Sequence, residues 1–201
     1  MIAQGPSDWI ARGEALWDAH DSLRASAIAT LRGQRPAALW MSDALGLLRG
    51  AAPAMDFDPR ATDRALARKY ALATTAALAA GVVCAASHAP SLVTLTVAAL
   101  AFYAVEVRQV FLVPCAIDGA RPDPISASDA LLRAQGGTLW GLRRVIPIAA
   151  HMLTGGLRGR GALRSWCAGC IAVLCWYEVT RAIAERAPRP ITEDSSCAID
   201  P

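Results

Sequence analysis

The chain has 201 residues, a net charge of +3, 54% hydrophobic and 18% charged residues, and a mean hydropathy of +0.32. Soluble globular chains hold roughly 45–50% apolar and about 25% charged residues, so this balance favours a chain ordered in lipid. The small net charge, with no dense Lys/Arg run interleaved with aromatics, argues against a nucleic-acid partner, and the length allows one compact domain.

Much of the apolarity is alanine, and Lys69 is the single lysine among many arginines, a bias that suggests a G+C-rich bacterial source. The start, MIAQGPSDWIARGEALWDAHD, has no basic region, apolar core or small-residue cleavage site, so no secretory signal is expected and the N-terminus should stay in the cytoplasm. Residues 7–32 read as one amphipathic helix, with Ser7 as N-cap, Asp8 in the first turn, and Trp9, Leu16 and Leu23 repeating at seven. A second short helix, PAALWMSDALGLLRG, stops at Gly50.

Asp58 followed by Pro59 is a helix start, a capping residue before proline at the first helical position. From there a helix runs through Arg64, Arg68 and Lys69 into an uncharged stretch, 70–88, long enough to cross the roughly 30 Å hydrocarbon layer. His88-Ala-Pro90 makes the turn, and 91–113 is the return span, with Glu106 inside it. Ser128 or Asp129 is expected to cap a short helix ending at Gly136-Gly137. The segment 145–157 contains Pro147 and is short for a span. It either crosses with Trp140, Arg143 and Arg144 snorkelling at one interface, or re-enters the layer. RSWCAGCIAVLCWYEVTR, from 164, reads as the last span, with Trp166 suited to an interfacial belt.

Positive charge favours four spans with both termini inside. Arg60, Arg64, Arg68, Lys69, Arg121, Arg133, Arg143, Arg144, Arg186 and Arg189 then face the cytoplasm, and only Arg158, Arg160 and Arg164 face out. The predicted fold is all-α: a polytopic membrane protein with three to four transmembrane helices. It divides into a cytoplasmic amphipathic segment (1–57), a helical bundle (58–186) and a polar tail (187–201).

Three sets of residues could carry chemistry. Cys167-Ala-Gly-Cys170 puts two sulfurs on one helical face, and a helix start favours a thiolate. That layout is similar to the vitamin K epoxide reductase family, a four-helix membrane bundle whose last helix opens with Cys-x-x-Cys. The resemblance implies thiol–disulfide exchange at Cys167 and Cys170, but this chain has no second cysteine pair in an outer loop, which that family uses to relay electrons. Cysteine as a small packing residue is the competing reading. Glu106 with Arg108, and Glu178 with Arg181, form an intramembrane polar cluster. It is expected to act as an interhelical clamp, or alternatively as interfacial anchoring or a proton or substrate relay. His151, in AAHML, could be a haem or chlorophyll axial ligand or a hydrogen-bonded core histidine. Histidine boxes and Glu-x-x-His pairs are absent, so no metal site is expected, and phosphate-binding loops and Gly-x-Ser-x-Gly elbows are absent as well.

The function expected is a non-catalytic accessory or assembly subunit of a bacterial inner-membrane complex. The alternatives are a membrane thiol–disulfide oxidoreductase using Cys167 and Cys170, and a proton-coupled carrier or channel subunit using Glu106 and Glu178. The partners expected are the bilayer and either a membrane protein or a second copy of the chain; the sequence names no cofactor.

Overall fold

The structure, a computed structural model, describes residues 5–54, 56–120 and 123–186. Within them the chain forms nine helices and no strand: α1 (Pro6–Ala19), α2 (Asp21–Leu31), α3 (Ala37–Arg49), α4 (Pro59–Ala86), α5 (Ser91–Arg108), α6 (Leu112–Ile117), α7 (Pro124–Ala134), α8 (Gly137–Thr154) and α9 (Ala162–Arg186). The tail from 187, with Cys197 and Arg189, lies outside the described residues, as does Arg121.

The expected first helix is two. At His20 the backbone turns extended (φ −126°, ψ 99°), and the Arg24 guanidinium donates to the carbonyls of Trp17 and Asp18 at 3.0 and 2.8 Å. The break lets one stripe serve two surfaces. Trp9, Gly13 and Trp17 press on α9, while Leu23 and Ala27 face α3, where the Trp40 indole donates to the Leu23 carbonyl at 3.1 Å. Asp8, not Ser7, closes the first turn, its carboxylate accepting from Gly5 N–H at 3.0 Å.

Asp58 caps α4 as expected, accepting from the N–H groups of Arg60 and Ala61. Asp63, one turn into α4, accepts from the free N–H groups of Ala37 and Ala38 and so ties the start of α3 to α4. The α5 span is interrupted at Gln109–Phe111, and Ser128 mends the break. Its hydroxyl donates to the Arg108 carbonyl and accepts from Phe111 N–H. Ser128 is therefore a buried brace inside α7 rather than a cap; Asp123 caps that helix through Ile125 and Ser126.

One apolar core joins α1–α3 to α6–α9 and the lower ends of α4 and α5. Its centre is aromatic: Trp9 stacks on Trp176 at 5.7 Å and 9°, Phe111 meets Trp176 edge-on at 4.8 Å, and Trp140 lies 6.0 Å away. Beyond this core α4 and α5 continue as a hairpin, paired more extensively than any other two helices. Small residues line the seam, as where Gly81 meets Ala98. Cys84, Ala85 and His88 close the tip, with His88 in the left-handed region (φ 55°) and Ala89 N–H donating back to the Cys84 carbonyl.

Among the described residues three helical stretches are long and apolar enough to cross a membrane: Pro59–Ala86, Ser91–Ile117 and Ala162–Arg186. The 145–157 segment, the doubtful fourth span, is not one of them. Its residues up to Thr154 belong to α8, whose Arg144 guanidinium lies over the Trp140 ring at 3.6 Å. The three long helices also differ in setting. Only 11% of the most apolar window of α4 is buried within the protein, against 56% for α9, which is packed on α1 and α8.

Candidate functional site

Between the hairpin base and helices α2, α3, α8 and α9 lies a cavity of about 450 Å³. Its walls are mostly apolar, with Trp40, Met41, Phe102, Val145, Ile148 and Met152 among them. Two features make it a site rather than a packing gap. One is a buried ion pair on its wall: Lys69 Nζ donates to Glu106 Oε1 at 2.8 Å, with side-chain exposures of 4% and 12%. The other is that Glu106 Oε2 is buried and accepts no hydrogen bond from the protein. Such an atom carries a desolvation cost that a donor would relieve.

The hairpin creates the pair. Lys69 stands nineteen residues before His88 and Glu106 eighteen after it, so folding at the turn sets the two opposite each other. No Asp, Glu, Lys or Arg occurs from Tyr70 to Val105, which leaves these two as the first charges below the uncharged arms. Sequence reasoning placed Lys69 among the cytoplasmic cations and missed the pairing, although the nearly equal arms and the single lysine were its signal.

Cys167 and Cys170 line the same cavity from α9. They are free thiols, as are Cys84, near the hairpin tip, Cys115, buried in α6, and Cys175, buried in α9. The Cys-x-x-Cys spacing places both sulfurs where a bound molecule could meet them. Close packing fixes this face of α9: a side chain at Gly169 would strike Met152, and one at Gly13 would strike the Ala168 carbonyl.

The expected polar cluster divides into separate networks. Glu106 belongs to Lys69. Arg108 instead reaches Asp129 at 3.2 Å, beside Arg133. Glu178 and Arg181 do share a network, 3.8 Å apart, but its hub is Arg49 of α3, which the sequence did not suggest. Arg49 holds Asp118 through two bonds of 2.7 and 2.8 Å and Glu178 Oε1 through two of 2.7 and 3.2 Å, while Tyr177 and Arg181 also donate to Asp118. Burial works to raise the Asp118 carboxyl, but the hydrogen bonds from Arg49 and Tyr177 outweigh it and hold the group below the usual carboxylate value. Arg49 and Arg181 are answered here by Asp118 and Glu178, with Glu185 3.5 Å from Arg181, which ties α3 and the end of α6 to α9. This network holds helices together.

His151 does not face the cavity. It sits where α8 meets α1, 3.6 Å from Glu14. Burial, helped by Arg160, Arg164 and Arg158, depresses its pKa against the pull of Glu14. Glu14 also pairs with Arg160 and Arg164, and Asp18 with Arg164 at 2.6 Å. The four-span path sets α1 and these arginines apart, on opposite membrane faces, whereas Glu14 and Asp18 of α1 pair with Arg160 and Arg164 directly.

Among the described residues no group of three or more His, Cys, Asp or Glu side chains is placed to hold a metal ion. No family model, curated protein or solved structure matches the chain.

Proposed function

We propose that this chain is a non-catalytic accessory or assembly subunit of a bacterial inner-membrane complex. In this reading α4 and α5 cross the bilayer as a hairpin, and the remaining helices form a base against the cytoplasmic face. The observation that carries the reading is the contrast in exposure. Leu72, Leu78, Val82, Val83, Leu92 and Leu95 all stand outside the protein on the hairpin, whereas Ile171, Leu174 and Trp176 of α9 are spent in the core. Exposed apolar surface on this scale seeks lipid or a partner.

Tyr70–Ala86 is roughly 25 Å long at about 1.5 Å per residue. That is enough for a hydrocarbon layer of about 30 Å if Tyr70, Phe102, Tyr103 and Trp166 sit at the interface and the bilayer adapts slightly. Orientation follows from charge. Arg60, Arg64 and Arg68 stand one turn apart, exposed, just before the uncharged arms, and the tip carries no cation other than His88 when protonated. The base, including α1 and Arg158–Arg164, is then cytoplasmic, and α9 is a core helix. The accessory role is supported by the ion-pair networks at Arg49 and Glu14, which tie helices to one another.

The test uses a membrane-impermeant maleimide on spheroplasts, with Cys84 replaced by serine. Ser87→Cys at the tip should label in intact spheroplasts, and Ala11→Cys on α1 only after lysis. Labelling of Ala11→Cys in intact spheroplasts, or a chain that stays in the supernatant after high-speed centrifugation without detergent, overturns the topology. Recovery as a lone monodisperse species in mild detergent overturns the subunit role.

A further inference from the structure

We infer that the cavity beside Lys69 and Glu106 binds a neutral, hydroxyl-headed, single-chain amphiphile taken from the bilayer. The inference rests on the membrane-hairpin reading for the source of the ligand and deepens it by naming what the site holds.

Three observations define the occupant. The first is location. The cavity's wall includes Leu31, Leu153 and Trp166, all exposed, together with Tyr70 and Phe102 at the root of the hairpin. Its mouth is thus continuous with the apolar surface assigned to lipid, and a ligand can enter from the acyl layer without crossing water. The second is size and lining. About 450 Å³ lies within the range of small-molecule sites, roughly 300–1,000 Å³, and a wall of Trp, Phe, Met, Ile and Val suits a hydrocarbon body.

The third observation is the polar end. Lys69 and Glu106 cancel each other's charge, so the wall offers no net attraction to an anionic or cationic head. What it lacks is a donor for Glu106 Oε2, which is buried and unmatched by any protein group. A hydroxyl supplies that donor. The same hydroxyl oxygen can accept a further bond from the Lys69 ammonium, which has three protons to give. A carboxylate head would set a second negative charge against Glu106, and a plain hydrocarbon would leave Oε2 as it is. The chemistry therefore selects an alcohol.

The experiment uses the purified full-length protein in detergent and three photoprobes: hexadecanol with a mid-chain diazirine, and its hexadecanoic acid and hexadecane counterparts. Hexadecanol should label peptides of α8 and α9 that line the cavity, roughly tenfold more than the acid or the hydrocarbon, as expected for a hydrogen bond to a charged group. Unlabelled monoolein should compete. Ala149→Trp, which fills the cavity from α8 and leaves both charges in place, should abolish the labelling with an unchanged melting temperature. The double variant Lys69→Met/Glu106→Leu should bind alcohol and hydrocarbon equally.

Equal labelling of the wild type by all three probes, or preference for the acid, overturns the assigned head group. Labelling that survives Ala149→Trp overturns the site. Chain-to-chain crosslinks in place of lipid label give the cavity to a second copy and also overturn the proposal. Binding in detergent is read independently of topology, whereas Ser87→Cys labelling reads topology independently of binding. Failure of one is therefore distinguishable from failure of the other.

Discussion

At Lys69 a single charge is held at 4% exposure against Glu106, and the consequences are asymmetric. Removing one partner of a buried pair leaves the other uncompensated, at a cost of about 3–5 kcal/mol, while replacing both with apolar groups of similar size is close to neutral. Lys69→Met alone should therefore lower stability by about that much, and Lys69→Met/Glu106→Leu should recover most of it; thermal unfolding in detergent checks both. Asp118 gives a prediction in pH. Its folded pKa is held below that of an unfolded aspartate, so the unfolded chain takes up the proton first. Its contribution is present above the unfolded aspartate pKa, about 3.9, and is lost as pH falls through the folded value. Asp118→Asn should flatten the acid limb of the stability profile below about pH 4. The Glu106 and Glu178 settings looked alike in sequence, yet their partners come from α4 and α3, and no local rule links positions so far apart.

The helices respond differently to added volume, and two glycines show how. A Cβ at Gly13 would run into the Ala168 backbone, which has no way to yield, whereas one at Gly81 would make ordinary contact with Ala98 at 3.9 Å. Gly13→Leu should loosen α1 from α9 and cost at least about 1–3 kcal/mol, while Gly81→Ala should be neutral or stabilise by up to about 1 kcal/mol. Circular-dichroism melts of the two variants against wild type distinguish the outcomes. The cap at Asp58 was legible because capping is local: a side chain reaching its own next turn. The break at His20 and the brace at Ser128 were not, because each answers a demand from another helix. α1 and α2 must face different neighbours, and α5 must end where α7 can mend it.

For the molecule as a whole, the placement of apolar surface is the decisive feature, and one substitution in each region separates lipid-facing from core positions. Leu78→Arg, on an outward face of the hairpin, should reduce membrane integration, since arginine near the centre of a span costs about 2.5–3.5 kcal/mol on insertion scales. The base should stay folded. Leu174→Arg, in the fully buried centre of α9, should unfold the base without any direct effect on the hairpin's insertion. Carbonate extraction reads the first property and limited proteolysis the second. By hydropathy alone α4 and α9 are equivalent, at 1.4 each.

By itself the sequence determined that the chain is helical, where α4 begins and turns, and that it holds three to four stretches apolar enough to be weighed as spans. Each of these follows from periodicity, capping and composition, which act over a few turns. Only the tertiary structure decided which apolar face is covered by protein, that Lys69 answers Glu106 and Arg49 answers Glu178, and that α1 shares a side with Arg160 and Arg164. Burial and ion pairing depend on what the rest of the chain brings alongside, and a hydropathy profile does not contain that information.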